Sequence, residues 1–306
     1  MKDLLVSVCI PIYNVGNFIG ETLDSIKNQS YNNWELIIVD DGSDDGAQKI
    51  IETFRNSVEQ KVKYFKNEFN KGPSATRNAA VSFANGNWFA FLDGDDIWRK
   101  DHLKHLVNTA LAKPECDLIY SDLIYFFDDI NKPIISENKI VSDENLRNFP
   151  ISLYKQDFFI QPSTMMVSSK LYQAVEGFDE SYRFAEDFKF NLKCIEKGFM
   201  FAYTNESTCY HRKHPDGFST NHFKMIYGHA KVFDETLSWN LKQIPYELRY
   251  KKASKYWLDT ARMSKKSDLK LSKYSINKAI KYHFDFRIGF YFIIIYIFSF
   301  IQFRKE

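Results

Sequence analysis

The chain has 306 residues, of which 44% are hydrophobic and 26% charged, so it can form an ordinary folded core and a disordered protein is excluded. Its formal net charge of +2 hides an asymmetry, because residues 249–306 hold 14 Lys and Arg against 4 Asp and Glu. This leaves 27 basic and 35 acidic residues in 1–248. A basic segment of this kind indicates nucleic acid or an anionic membrane surface as a partner.

The first 95 or so residues alternate between short apolar runs and segments with helical spacing. Strands are predicted at 6–12, 36–39, 62–65 and 88–92, with helices at 18–28, 45–54 and 74–84 between them. This alternation predicts an α/β fold with a mainly parallel sheet covered by helices on both faces.

Less regular patterning follows. Helices are predicted at 103–111, 168–175 and 187–197, and an extended stretch at 117–127. We expect a catalytic domain over 1–248, with a nucleotide-binding half (1–99) and an acceptor half (100–248). A basic helical tail over 249–306 completes the chain.

Polar side chains follow three of the predicted strands directly. They are Tyr13 and Asn14 after the first strand, Asp40 and Asp41 after the second, and Asp93 and Asp95 after the fourth. Ligands of parallel sheets bind at the carboxyl ends of the strands, so these clusters predict a binding site at one sheet edge.

Asp93-Gly94-Asp95 places two carboxylates beside a flexible glycine. Hard cations such as Mg²⁺ and Mn²⁺ prefer oxygen ligands and share them with diphosphates. The alternative is a simple turn at a strand end, with Asp96 capping the next helix. No glycine-rich phosphate-binding loop of the Rossmann or P-loop type is present, so a bound metal is expected to carry a diphosphate's charge.

Three further positions have both a functional and a structural interpretation. A carboxylate of Asp40 or Asp41 is placed to accept from a nucleobase or ribose, or the two belong to an Asp-Gly turn with a helix cap at Ser43 or Asp44. Asp187 is a candidate general base, or an acid favoured at a helix start. In the segment 211–215, a neutral His is a candidate metal ligand and a cation is a candidate to neutralise a departing diphosphate, or the segment is a solvated loop.

Taken in order, the segments VSVCIPIYN, ELIIVDDGSDDG, NKGPSATRN, FLDGDD, GFDE and AEDFKF resemble the family 2 glycosyltransferases with the GT-A fold. The resemblance spans residues 5 to about 220. It implies a nucleoside-diphosphate-sugar donor, with UDP the expected nucleotide, and inversion at the anomeric carbon. The acceptor is expected to be a saccharide or a lipid-linked molecule in the synthesis of a cell-surface polysaccharide.

The same resemblance assigns roles to individual residues. Asp187 is implied as the catalytic base with Glu186 beside it, and Asp95 as a metal ligand that Asp93 and His214 assist. The residues implied for donor binding are Pro11, Tyr13, Asn14, Asp40, Gly72, Arg77 and Asp93. The cofactor expected is Mn²⁺ or Mg²⁺.

Two other function classes fit parts of the sequence. A nucleotidyltransferase would also use acidic metal ligands on a nucleotide, but would release pyrophosphate rather than a nucleoside diphosphate. A non-catalytic sugar-nucleotide-binding module would not need Asp187.

The beginning of the chain lacks the pattern of a signal peptide, and the four cysteines show no disulfide or metal spacing, so we expect a cytoplasmic protein with reduced thiols. Residues 288–303 contain no charge and follow a basic stretch. We expect this segment to lie in the interface of an anionic membrane at its inner face; a buried terminal helix and a membrane span are the alternatives. An uncharged stretch of this kind argues against nucleic acid as the tail's partner.

Overall fold

The computed structural model describes residues 4–127, 129–131, 141–215, 217, 220–284 and 286–303, with only the backbone of 298–303. Its contacts divide the chain into two compact units, Met1–Pro215 and Asp216–Glu306. Residue 248, the boundary expected from the charge distribution, lies inside the second unit. The reason is that helices on both sides of it pack together: the rings of Phe233 and Tyr256 lie 4.9 Å apart.

The first unit contains one eight-stranded mixed sheet. In chain order the strands are β1 (Val6–Ile12), β2 (Trp34–Asp40), β3 (Val62–Lys66), β4 (Trp88–Phe91), β5 (Ile97–Trp98), β6 (Leu118–Phe126), β7 (Met165–Ser168) and β8 (Phe201–Arg212). Across the sheet the order is β3-β2-β1-β4-β7-β6-β8-β5. The first four of these are parallel, as predicted, and β7 runs antiparallel to both β4 and β6. Parallel pairing returns between β6 and β8.

Helices flank this sheet. They are α1 (Ile19–Lys27), α2 (Ala47–Arg55), α3 (Pro73–Ser82), α4 (His102–Ala112), α5 (Asp143–Arg147), α6 (Ile151–Lys155), α7 (Ser169–Ala174) and α8 (Glu186–Glu196). The expected cap of α2 by Ser43 or Asp44 is wrong. The helix begins after Gly46, which makes no side-chain cap, because the Ser43 hydroxyl instead accepts from the backbone N–H of Asn14.

The two faces of the parallel half of the sheet are both buried. Ile10 and Ile38 belong to one apolar cluster, whereas Cys9 and Ile37 belong to another. Successive residues of a strand point to opposite faces, so burial on both sides requires a continuous apolar run rather than alternation. This is why β1 and β2 were predictable from sequence. All four cysteines are buried and free.

The sequence did not predict β7 or β8. β8 is 12 residues long, but the polar residues 204–207 interrupt it, and Asn205 has a positive φ of 61°. Its register against β6 shifts in the same region. Such an irregular strand has no local pattern, and pairing with distant strands defines it.

The second unit is helical over its described part, as predicted for the tail. Its main helices are α9 (His222–Thr236), α10 (Tyr246–Ser264), α11 (Leu269–Tyr282) and α12 (Phe286–Phe303). Their shared core includes Trp257, Ile276, Ile288 and Ile295. Among the described residues, no helix has both the length and the apolar character that a bilayer crossing requires.

Candidate active site

The polar clusters predicted after β1, β2 and β4 do meet at the carboxyl ends of these strands. The backbone N–H of Asn14, after β1, donates to the Ser43 hydroxyl after β2 at 2.9 Å. The Asp44 N–H donates in turn to the Asn14 side-chain oxygen at 3.2 Å. Asn14 has a positive φ of 54°, which an asparagine tolerates, and this turn leaves the neighbouring Tyr13 half exposed at the edge of the sheet. Pro11 precedes them, partly exposed and beyond the last residue of β1 that pairs with β4, Cys9.

Asp40 and Asp41 are both buried, and protein groups hold each of them. Asp40 accepts from the Ser43 N–H at 2.7 Å and from the Tyr64 hydroxyl at 2.8 Å. Burial and this hydrogen bond raise the pKa of Tyr64. Asp41 accepts from the side-chain amide of Asn67 and from the backbone N–H groups of Lys71 and Gly72, all within 2.9 Å. Asp41 thus fixes the 67–72 loop, a role that its place in an Asp-Gly turn did not suggest.

Gly72 has a left-handed backbone (φ 94°) and begins α3. A Cβ at this position would lie 3.3 Å from the Nε atom of Arg183. The Nη2 group of the same arginine donates to the Asn70 carbonyl at 3.3 Å. The glycine therefore lets two loops approach, one from the end of β3 and one leading to α8.

Arg77, on α3, joins the strand-end acids to α8. One guanidinium nitrogen lies 2.7 Å from Asp93 and another lies 2.9 Å from Glu186. Burial opposes a charge here, but the two acids hold the pKa of Arg77 above its ordinary value. The residue is only 4% exposed, so the guanidinium binds the two carboxylates in a fixed geometry.

The two acids at the start of α8 have different surroundings. Glu186 is buried against Arg77, and burial raises the pKa of its carboxyl, with Asp187 adding to the effect and Arg77 opposing it. Asp187 is partly exposed, and its carboxylate accepts from the Phe188 N–H at 2.7 Å. The helix N-cap is Ala185, so neither acid caps the helix from outside it. Of the two, Asp187 is the one open to a substrate.

Two of the three predicted metal ligands are in contact. The His214 Nε2 lies 3.1 Å from an Asp95 carboxylate oxygen, whereas Arg77 binds the third residue, Asp93. Within the described ranges, no group of three or more His, Cys, Asp or Glu side chains is arranged to hold a metal ion by itself. Mg²⁺ in nucleotide enzymes is usually held by one or two carboxylates plus substrate phosphates, so the pair Asp95 and His214 fits a metal that a diphosphate helps to bind.

Asp96 supports the Asp93–Asp95 turn from the interior of the protein. Its predicted role as a helix cap is wrong. It is fully buried and accepts from the Ser163 hydroxyl at 2.5 Å and from His211 at 3.0 Å. Ser163 in turn accepts from the Asp93 N–H at 3.0 Å. Burial opposes a charge on His211, but Asp96 raises the pKa of the imidazole. α4 instead begins after Asp101, because Asp96 faces inward.

Arg212 and Gly94 also shape this turn. Arg212, buried at the end of β8, donates to the Asp95 carbonyl at 3.1 Å and to Glu21 at 2.5 Å. A Cβ on Gly94 would lie 2.9 Å from the side chains of Ile12 and Val15, so the turn packs closely on β1. Ser163 and Arg212 were not among the site residues predicted from the sequence; Arg212 lies in the polar segment 211–215, and no local pattern marks Ser163.

Comparison with known proteins places the site in a family context. The model of the family described as Glycosyl transferase family 2 matches residues 7–175. The UDP-Glc:alpha-D-GlcNAc-diphosphoundecaprenol beta-1,3-glucosyltransferase WfgD of Escherichia coli is 36% identical over 141 residues. That match spans 46% of this chain and 51% of the relative.

Solved structures share the fold at low identity. Residues 1–349 of S. aureus TarS, in complex with UDP-GlcNAc, superpose with a TM-score of 0.69 at 18% identity, over 91% of this chain and 81% of the other. The mannosyltransferase PcManGT of Pyrobaculum calidifontis, with GDP-Man and Mn²⁺, gives 0.63 at 15% identity, over 96% and 84%. These likenesses confirm the GT-A type of α/β fold that the sequence predicted.

Proposed function

This chain belongs to glycosyl transferase family 2, and from that premise we propose that it transfers a sugar, with inversion, from a nucleoside-diphosphate-sugar to an acceptor hydroxyl. The family and its named relatives are glycosyltransferases, so the chain is a transferase of this class. The observation that carries the proposal is the bridge made by Arg77, which ties Asp93 at the end of β4 to the first turn of α8, where Asp187 lies.

UDP is the proposed nucleotide of the donor. Support comes from the E. coli relative, whose name specifies UDP-Glc, and from the TarS structure with UDP-GlcNAc. In this chain the nucleoside would lie over Tyr13 and beside Asp40, at the carboxyl ends of β1 and β2. The remaining proposed donor contacts are Pro11, Asn14, Gly72, Arg77 and Asp93.

Asp95 and His214 are proposed to hold Mn²⁺ or Mg²⁺ together with the donor's diphosphate. When bound, such an ion would act as a Lewis acid that stabilises the charge of the departing nucleoside diphosphate. The Mn²⁺ in PcManGT supports this cofactor. EDTA should abolish turnover and Mn²⁺ should restore it, and Asp95→Ala should raise the Mn²⁺ concentration needed for half-maximal activity. Full activity of the wild type in a chelated buffer would contradict this assignment.

Asp187 is the proposed general base. Its carboxylate is partly exposed at the helix start, so it can take the proton of an acceptor hydroxyl. The freed oxygen then attacks the anomeric carbon from the face opposite the leaving nucleotide, through an oxocarbenium-like transition state. Buried Glu186 does not reach an acceptor in this scheme. Its ion pair with Arg77 instead orients the first turn of α8, where Asp187 lies.

The proposed acceptor is a saccharide or a lipid-linked saccharide used in surface polysaccharide synthesis. The name of the E. coli relative specifies a diphosphoundecaprenol-linked acceptor, which supports the lipid-linked form. An acceptor of this kind is confined to a membrane, so we propose that the enzyme works peripherally at the cytoplasmic face, with the basic tail directed to anionic lipid and no nucleic acid involved.

A donor screen tests the proposed function. Purified protein is incubated with a panel of UDP- and GDP-sugars and a soluble lipid-linked acceptor analogue, and the released nucleotide is measured. Release of UDP with formation of a β-linked product, assigned by proton NMR, is expected from an α-linked donor. Pyrophosphate as the product would indicate a nucleotidyltransferase, and a retained anomer would overturn the inverting mechanism.

A further inference from the structure

α12 has one face that packs and one apolar face that is exposed. Ile288 and Ile295 are buried in the core of the second unit, 2% and 0% exposed. Four large apolar residues are instead 55% exposed or more, and their spacing over about three turns places them in one row. This outer row consists of Phe286, Phe290, Ile293 and Ile297.

A contiguous apolar row of this size is unusual on a protein surface and marks a site of interaction. Single exposed apolar residues need no explanation, but four in register on one helix do. The row alone does not identify the partner. The charges beside the row do.

Cations border the outer row on both sides. Tyr291 and Tyr296 lie on opposite flanks of α12, between the packed face and the outer row, as the helical spacing requires. The Arg262 guanidinium lies 4.6 Å from the Tyr291 ring centroid, and the Lys273 ammonium 5.5 Å from that of Tyr296. An apolar ridge with a cation on each flank matches the boundary between acyl chains and anionic headgroups.

An open pocket of about 530 Å³ lies beside this ridge. Arg262 and Lys265 contribute its positive charge, and Asp259 contributes one acid, 3.6 Å from Arg262. Burial raises the pKa of Asp259, although Arg262 and the nearby Lys255 and Arg287 act against the shift. Cations therefore outnumber the acid around the pocket. The lining residues are Ile226, Asp259, Arg262, Met263, Lys265 and Tyr291.

We infer that α12 docks on an anionic phospholipid bilayer, with the outer row among the acyl chains and a lipid phosphate in the pocket of Arg262 and Lys265. A second copy of this chain fits less well, because its ridge would bring the cations on its own flanks, Arg262 and Lys273, against these. The inference rests on the proposed membrane-linked acceptor and adds to it the helix face and the headgroup site.

Co-sedimentation with vesicles tests the docking face. The 306-residue chain should pellet with phosphatidylglycerol vesicles at low salt and much less with phosphatidylcholine vesicles. Phe290→Glu/Ile293→Glu should reduce binding at least tenfold, because two charges would enter the acyl region. Leu111→Glu/Met200→Glu, which changes two exposed apolar residues of the first unit, is the matched control and should bind as the wild type does.

A second pair of variants tests the headgroup pocket. Arg262→Gln/Lys265→Gln should weaken binding to phosphatidylglycerol vesicles about fivefold for each charge removed. Lys49→Gln/Lys104→Gln removes two exposed charges of the first unit and should have little effect. Equal losses in both pairs would show a nonspecific charge effect and overturn the assignment of the pocket.

The outcome is separable from that of the transferase assay. Release of UDP with a soluble acceptor analogue is measured on the same preparations. Normal transfer by a wild-type protein that stays in the supernatant with every vesicle overturns the docking inference alone. Analytical ultracentrifugation showing a dimer that Phe290→Glu/Ile293→Glu dissociates, without loss of vesicle binding, would assign the outer row to a second copy and also overturn it.

Discussion

In the first unit, some buried charged side chains lie close to the carboxyl ends of parallel strands, whereas in the second unit charged side chains hold helices together. Arg77 and Asp96 are examples from the first unit: each is nearly inaccessible, and each ties two elements of the site. In the second unit, Arg249 is 1% exposed and donates to the Thr236 and Trp239 carbonyls at the end of α9. Asp234, on the same helix α9 but only partly buried, accepts from Lys278 of α11.

The difference shows that burial of charge does not by itself mark a reactive site. The Arg249 guanidinium donates to two carbonyl groups that also accept from backbone N–H groups, so it ties the segment after α9 to α10. The Arg77 guanidinium instead orients carboxylates that remain near an open sheet edge, where a ligand of a parallel sheet binds. Substitutions should therefore change turnover in the first unit and mainly stability in the second.

The largest effect is expected at the base. Asp187→Asn removes the proton acceptor and should lower kcat by about 10²-fold or more, while the KM for the donor stays near the wild-type value. The measurement is UDP release at saturating donor. Glu196→Gln, at the other end of the same helix, is the control and should retain activity. Wild-type turnover by Asp187→Asn would move the base to Glu186.

The next largest effect is expected at the bridge of the site. Arg77→Lys replaces a planar fork with a single ammonium, which cannot serve Asp93 and Glu186 in the same geometry. The loss of a hydrogen bond to a charged group costs about 1.5–3 kcal/mol, so kcat/KM should fall by roughly 10- to 100-fold. Steady-state kinetics and a thermal unfolding curve are measured together. An unchanged kcat/KM would show that the bridge is structural only.

A smaller effect is expected beneath the metal-binding turn. Asp96→Asn keeps the size of the side chain, but in either orientation its amide N–H₂ group would face a donor, the Ser163 hydroxyl or the Arg212 N–H. A buried donor left without an acceptor costs about 1–3 kcal/mol, and the turn would shift Asp93 and Asp95 to avoid this cost. We therefore expect kcat/KM to fall about tenfold and the Mn²⁺ requirement to rise. If the Mn²⁺ requirement is unchanged, Asp96 does not position the turn.

The smallest effect is expected in the second unit. Asp234→Asn weakens a partly exposed ion pair with Lys278, and hydrogen bonds from Tyr282 and Trp257, so the free energy of unfolding should fall by about 1 kcal/mol. Urea denaturation followed by far-UV circular dichroism measures the change. With a soluble acceptor analogue, kcat and KM should stay within about twofold of the wild type. A larger kinetic loss would break the distinction between the two units.

Sequence reasoning found the parallel half of the sheet and the strand-end acids because their signals are local. Continuous apolar runs followed by Asp-Asp-Gly or Asp-Gly-Asp mark β2 and β4 directly, and the structure confirms both strands within two residues at each end. The family prediction is also confirmed. The roles of Asp187, Asp95 and the other predicted site residues stay predictions, now with a defined geometry.

The sequence by itself determined the order of α/β elements, the candidate acids and the basic, apolar end of the chain, because each depends on neighbouring residues. Only the tertiary structure decided which distant groups support those acids. Arg77 lies 109 positions from Glu186, and Ser163 lies 67 from Asp96, yet each pair is in hydrogen-bond contact. Local patterns do not encode such pairs, since a buried charge takes its partner from whatever element the fold brings within about 3 Å.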